Sequence, residues 1–219
     1  NFKTLTKGIR YEVFNNELKL KLNPEMDFRF PLWADPTLAP DTDADVIITG
    51  HVVRGESGMS VSSAGDFNGD GIEDFIIGAP NYSNAFVFFG GSIAGNKTDN
   101  SDADVFLNGS GEFGNSVASA GDFNGDGKGD VIVGAPFDDN NGSNSGSAFI
   151  FFGGITGTKT ADADADVILN GQSAGDYFGH VVASAGDFNG DGKGDVIVSA
   201  IEDDNNSETD SGSVFIFFG

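Results

Sequence analysis

Three stretches of the chain repeat one another: GDFNGDGIEDFIIGAP (Gly65–Pro80), GDFNGDGKGDVIVGAP (Gly121–Pro136) and GDFNGDGKGDVIVSAI (Gly186–Ile201). Repetition constrains the fold more than any other feature here. Each copy must form the same local structure and bury its faces against its neighbours. Three further landmarks recur in step. ADVIITG, ADVFLNG and ADVILNG begin at Ala44, Ala103 and Ala165. SGMSVSSAGD, FGNSVASAGD and FGHVVASAGD begin at Ser57, Phe113 and Phe178. AFVFFGG, AFIFFGG and VFIFFG begin at Ala85, Ala148 and Val214.

Each unit reads as four short strands rich in Val, Ile and Phe, bounded by Gly, Asn and Asp. No window sustains a 3.6-residue apolar period, so little helix is expected. A four-stranded unit of this size is a propeller blade, which cannot bury both faces alone. The expected fold is all-β, with β-propeller blades of four antiparallel strands. Three blades are visible within residues 44–219, at about 44–102, 103–164 and 165–219. Residues 1–43 do not share the repeat. Ile9/Tyr11/Val13, Leu18/Leu20/Leu22 and Phe28/Phe30 alternate there, with Asn15-Asn16 as a turn, which fits two or three amphipathic strands. Four of the six prolines follow between Pro24 and Pro40, marking a linker or extended arm.

Charge narrows the function. The net charge is −23, and residues 44–219 carry twenty-seven Asp and Glu against five Lys and Arg. Such a surface repels nucleic-acid phosphates and anionic membranes, and suits a protein that binds cations. Acidic loops also keep a Gly-rich chain in solution. The absence of Cys excludes disulfides and thiol chemistry without fixing the compartment. No apolar run is long enough to span a bilayer as a helix.

The repeated loop carries the chemistry. With its first Asp numbered one, positions one, three and five are Asp66/Asn68/Asp70, Asp122/Asn124/Asp126 and Asp187/Asn189/Asp191. Position nine is Asp74, Asp130 and Asp195, and position six is always Gly. Ca²⁺ takes roughly six to eight oxygens in flexible geometry, and alternate residues of a tight loop can turn theirs toward one centre. Backbone carbonyls at position seven (Ile72, Lys128, Lys193) would add an oxygen where the side chain is free to vary. Three carboxylates in one loop repel each other until a cation joins them. Mg²⁺ is the poorer match, since it keeps its waters and a strict octahedron. An EF-hand is excluded: position twelve is Ile77, Val133 or Val198 rather than Glu, and both flanks are strands. A lone copy would equally suit a metal-free Asx-rich turn. Three copies at matched places favour the cation, giving about three Ca²⁺, one per repeat.

At these residues the sequence resembles the FG-GAP repeat family, whose repeats build the β-propeller of integrin α subunits. The stretch from Phe113 to Pro136, followed by AFIFFGG, carries the Phe-Gly, the acidic loop and the Gly-Ala-Pro in order. The first repeat departs with Ser57-Gly58 in place of Phe-Gly, and the third with Ser199-Ala200-Ile201 in place of Gly-Ala-Pro. The resemblance implies a Ca²⁺-stabilised propeller, usually of seven blades, on cell surfaces or in secreted proteins, with loops that bind protein or glycan partners. It also implies that the landmark-one strand is the outer strand of the preceding blade. The third blade should then lack its outer strand, and Ala44–Gly50 should have no preceding blade to join. Three blades are too few to close a ring. The chain is therefore expected to be a piece of a longer repeat protein, the alternative being copies that complete one another's blades.

Catalysis finds little support. His51 and His180 stand at unmatched places in their repeats, and no Gly-x-Ser-x-Gly elbow is present. The phenylalanine runs read as core between blades, and the acidic tracts before each landmark-one strand as solvated turns. Asn81-Tyr82-Ser83 and Asn96-Lys97-Thr98 are glycosylation sequons in a secreted setting. The expected function is non-enzymatic: an extracellular or cell-surface module for adhesion, ligand binding or assembly. Its partner would be a protein, a glycan or further copies, with no nucleic acid and no membrane insertion. The alternative is an accessory propeller of a secreted enzyme whose catalytic part lies outside this chain.

Overall fold

The computed structural model describes three backbone strands, 3–6, 9–14 and 17–22, and residues 44–91, 93–205 and 209–219. The chain divides into two units, Asn1–Ala44 and Asp45–Gly219.

In the first unit β1 (Lys3–Thr6), β2 (Ile9–Phe14) and β3 (Glu17–Leu22) form an antiparallel meander. Ile9, Tyr11 and Val13 stand opposite Leu22, Leu20 and Leu18, so the alternating apolar sets share register positions. The third strand is Lys3–Thr6. The Phe28/Phe30 alternation and the proline-rich linker lie outside the described residues.

The second unit holds three sheets built alike. In the first, β5 (Ser60–Gly65), β6 (Asp74–Ala79) and β7 (Asn84–Phe88) run antiparallel, and β9 (Val105–Asn108) pairs with β7. In the second, β10 (Ser116–Gly121), β11 (Asp130–Ala135) and β12 (Ser147–Phe151) are joined by β14 (Val167–Asn170). The third contains β15 (Phe178–Gly186), β16 (Asp195–Ala200) and β17 (Ser213–Phe217). The second and third landmark-one strands thus join the outer side of the preceding sheet, and the third sheet has three strands. The two-residue strand β4 (Ile48–Thr49) finds a parallel partner in β8 (Lys97–Thr98). In the same way β13 (Gly157–Thr160) adds in parallel to the outer edge of β9.

Strand alternation sends successive side chains to opposite faces, and three clusters follow: Ile77, Ala79, Phe86 and Phe88 on one face of the first blade, and two between blades. Val87, Val105 and Leu107 of the first blade pack with Phe113, Val131, Phe149 and Phe151 of the second. Ile132, Ala148 and Ile150 of the second pack with Phe178, Val182, Val196 and Val198 of the third. Each of these large side chains contributes about 1.5–3 kcal/mol when buried. The first two phenylalanine runs are therefore core. In the third run, Phe215 and Phe217 face the second blade while Val214, Ile216 and Phe218 are exposed.

Two of the three acidic tracts are more ordered than the solvated turns expected, though mostly exposed, and residues 41–43 of the first lie outside the described residues. Asp99–Asp102 and Ala161–Asp164 each form one helical turn whose first residue is buried. Asp102 accepts the Thr98 amide and Asp164 the Thr160 amide, both at 2.8 Å, as an acid in a first helical turn does for the residue capping it. Asp104 and Asp166 accept the amides of Phe89 and Phe152, pinning the end of each third strand.

Blade stacking explains the glycines. A Cβ on Gly78 would lie 2.0 Å from the Gly114 carbonyl oxygen, and one on Gly134 equally 2.0 Å from that of Gly179. The Gly of Gly-Ala-Pro in one blade and the Gly of Phe-Gly in the next are thus contact points between backbones. Both departures from the motif fall on outward faces. Ser57 and Gly58 line the face of the first blade away from the second, and Ser199 lies where no later blade approaches.

Candidate metal centre

Three acidic loops lead into β6, β11 and β16, and local chemistry shapes them alike. Each first strand ends in a bulge, with register shifts at Ser63/Gly65, Ser119/Gly121 and Ser184/Gly186. The bulge glycines adopt φ of 67°, 69° and 66°, which only glycine takes without strain. The serine hydroxyls accept the glycine amides at 3.1, 3.1 and 3.2 Å. This turn aims the position-one aspartate into the loop.

That aspartate organises the bend. Asp66 accepts the amides of Gly69, Asp70 and Gly71 at 2.8–2.9 Å. Asp122 accepts those of Asp126 and Gly127, and Asp187 those of Gly190, Asp191 and Gly192. Position six has φ of 86°, 89° and 92° at Gly71, Gly127 and Gly192. The Asn68, Asn124 and Asn189 amides each donate to the position-five carboxylate at 2.9–3.0 Å, and their oxygens accept its backbone N–H. The other oxygens of Asp70, Asp126 and Asp191 accept the amides of Ile72, Lys128 and Lys193. The Asn124 side chain and then the Lys128 amide hold the Asp126 carboxyl below its usual range. The Lys193 amide and then the Asn189 side chain do the same for Asp191.

Position nine has a role the sequence did not disclose. Asp74, Asp130 and Asp195 are all but fully buried. One oxygen of each accepts loop amides: Asn68 for Asp74, Phe123 and Asn124 for Asp130, Phe188 and Asn189 for Asp195. The other accepts the amide just beyond the third strand, from Gly90, Gly153 or Gly219. Burial raises the Asp130 carboxyl to about 6 despite these donors, and raises Asp74 in the same direction. The signal available was position rather than composition: this Asp alone is also the first residue of a strand.

Neighbouring loops are bonded together. The Gly129 amide donates to the Asp66 carbonyl and the Gly194 amide to the Asp122 carbonyl, both at 2.9 Å. The Lys128 side chain lies over Gly69 and that of Lys193 over Gly125. Position seven therefore reaches the preceding loop, while Ile72, with no such loop, is nearly half exposed.

Carboxylates at one, five and nine with an amide oxygen at three form an all-oxygen donor set that fits a hard cation. A carboxylate has about four acceptor directions, so the amide bonds leave lone pairs free. Among the described residues no three His, Cys, Asp or Glu side chains converge on one point, and the carboxylates at one, five and nine are at present held by backbone amides and the asparagine side chain. The histidines lie elsewhere: His51 meets the buried Asp99 at 2.5 Å, and His180 accepts a bond from Asn115 through its carbonyl.

Stacked antiparallel sheets of this kind, each opened by an acidic loop, define an all-β protein of propeller blades. Residues 57–97, 113–151 and 178–217 match the profile of the FG-GAP repeat, and the chain belongs to that family. It is 32% identical over 177 residues to integrin alpha-6 of Homo sapiens, covering 76% of this chain and 15% of that protein. It is 30% identical over 166 residues to integrin alpha-7 of Rattus norvegicus, covering 73% of this chain and 14% of that one. Integrin alpha-5 of Xenopus laevis is 31% identical over 172 residues, with 69% and 15% covered. The chain thus spans about 15% of the length of these curated relatives. No helix among the described residues is long and apolar enough to cross a membrane.

Proposed function

We propose that the second unit is a calcium-stabilised, non-enzymatic blade array acting outside the cell in adhesion, ligand binding or surface assembly. Each loop would hold one Ca²⁺ through Asp66/Asn68/Asp70/Asp74, Asp122/Asn124/Asp126/Asp130 or Asp187/Asn189/Asp191/Asp195, with the carbonyls of Ile72, Lys128 and Lys193. The observation that carries this reading is that three identical oxygen-rich loops are hydrogen-bonded side by side. A cation would neutralise their mutual repulsion and tie the loop to the first two strands of its blade. The similarity to integrin α chains supports a protein or glycan partner and a place at the cell surface.

The outer faces of the array support association with further β-structure. Met59 and Val61 are exposed on one end, and Val181, Phe188 and Val214 on the other. Phe188 is informative, because its counterparts Phe67 and Phe123 are buried beneath the following blade. Further blades of a longer chain, or another copy, would cover it. The test is thermal unfolding with calcium and with chelator, together with light scattering. A melting curve indifferent to chelator would refute the metal role. A particle that stays monomeric at all concentrations would favour further blades over copies.

A further inference from the structure

A second group of carboxylates lies at the other end of β16 from its acidic loop. A cavity of about 280 Å³ opens between the loop entering the third blade and the connection after β16. Among the described residues, five acidic ones line it (Asp176, Glu202, Asp203, Asp204 and Asp210) and no basic one does. Asp203 is 3% exposed, and its Oδ2 atom is buried with no hydrogen-bond partner. A buried carboxylate oxygen without a donor is strongly unfavourable unless a proton or a cation meets it.

The second blade supplies an internal control. FDDN at Phe137–Asn140 matches EDDN at Glu202–Asn205, so Asp138 is the counterpart of Asp203. Asp138 is equally buried, but it is satisfied. It accepts the Ser147 hydroxyl at 2.8 Å, the Asn140 amide at 3.1 Å and the Ser110 hydroxyl at 2.6 Å. Ser110 belongs to the loop that enters the second blade. The corresponding loop of the third blade is longer, running from Gly171 to Phe178, and brings the buried Asp176 to the cavity instead. A donor is thus replaced by another acceptor. Asp176 accepts the Ser173 amide at 2.7 Å, and Asp204 accepts that of Asp210 at 2.6 Å. Neither can donate to Asp203 as a carboxylate.

We propose that this cavity is a cation site of a second kind, in which Asp176, Asp203 and Asp204 take a Ca²⁺-like ion that staples the third blade to the strand entering it. One proton would neutralise one of five carboxylates. A divalent ion neutralises two and takes about six to eight oxygens, which an all-oxygen cavity can supply with water. The side chains do not yet meet at one point, so the ion has to draw them inward.

The chain itself tests this. Tyr177 adjoins Asp176, so terbium bound in the cavity should luminesce when tyrosine is excited, and calcium should quench that emission by displacement. Replacing Tyr177→Phe should remove this component while leaving the number of bound ions unchanged. Asp203→Asn should lower the metal count by one and, in calcium-free buffer, raise the melting temperature above the parent's. Asp176→Asn should also remove one ion, and decides the matter if Asp203→Asn fails to fold. The pair Asp122→Ala/Asp126→Ala removes a different ion and leaves the Tyr177 signal, so the loop sites and this one fail independently. An unchanged metal count in Asp176→Asn, or a gain in stability by Asp203→Asn with undiminished binding, would overturn the proposal.

Discussion

Asp130 Oδ1 accepts the Gly153 amide at 2.8 Å, joining the first residue of one strand to the chain just past the next. Its other oxygen holds the amides of Phe123 and Asn124. One buried carboxylate therefore fixes both the acidic loop and the exit of the blade. Replacing Asp130→Ala orphans one buried amide and two part-buried ones, and an unmet buried donor costs about 1–3 kcal/mol. A loss of about 2 kcal/mol or more is expected in urea unfolding, even without calcium. Asp126→Ala, at an exposed position, should cost under about 1 kcal/mol in calcium-free buffer. Equal losses for the two would show that the clamp is unimportant.

The contact between Gly134 and Gly179 predicts an asymmetry between blades. A side chain at Gly134 meets the Gly179 carbonyl oxygen at 2.0 Å, a backbone atom that cannot rotate away. Gly134→Ser must push the second and third blades apart, and is expected to destabilise by roughly 3 kcal/mol. Ser199 occupies the matching place in the third blade, where its hydroxyl accepts the Val181 amide at 2.9 Å. Ser199→Gly should cost about 1 kcal/mol, the scale of one hydrogen bond. Comparable melting temperatures for the two variants would contradict this stacking.

Much of this arrangement was legible in the residues, because four landmarks recurred in step and strand chemistry has a two-residue period. The blade order and the core role of Phe86, Phe88, Phe149 and Phe151 follow from that pattern, while the outer strands lent by the following repeat are implied by the family resemblance. What escaped depends on contacts between units. Nothing in GDFNGDG distinguishes position nine as a clamp, since its partner glycine stands sixteen to twenty-four residues away. The acidic tracts looked like solvated turns because their amide partners, such as Thr98 for Asp102, become visible only once the turn is helical. The parallel strand Gly157–Thr160 carries no apolar alternation, so only its partner β9 reveals it.

Titration gives a third prediction, for protein freed of calcium. The folded Asp130 carboxyl sits near 6, against 3.8 for the ordinary group, because burial disfavours its charge. Below the ordinary value both states are protonated and no penalty exists. Between the two values only the folded state holds the proton, so stability falls as pH rises. Above about 6 the penalty is complete, on the order of 3 kcal/mol. Asp74 shifts the same way. Asp126 and Asp191 shift oppositely, and their contribution is lost only in more acidic solution. The urea midpoint should therefore be higher at pH 5 than at pH 7, and Asp130→Asn should flatten the difference. A midpoint rising from pH 5 to pH 7 would contradict the assignment.

The fourth prediction concerns the loops as cation sites. Asp122 and Asp126 together hold three backbone amides of the middle loop and its asparagine side chain. The loop is also bonded on both sides, through Gly129 to Asp66 and through Gly194 to Asp122. An ion bound only to the folded form stabilises by about 2.7 kcal/mol at a hundred times its dissociation constant. Replacing Asp122→Ala and Asp126→Ala together should remove one bound calcium by isothermal titration and about one loop's share of the calcium-induced rise in melting temperature. Because the Asp122 carbonyl still takes the Gly194 amide, the third blade should remain docked and its own loop should still bind. If the double variant instead kept the parent's calcium count and thermal shift, the oxygens of this loop would not be ligands.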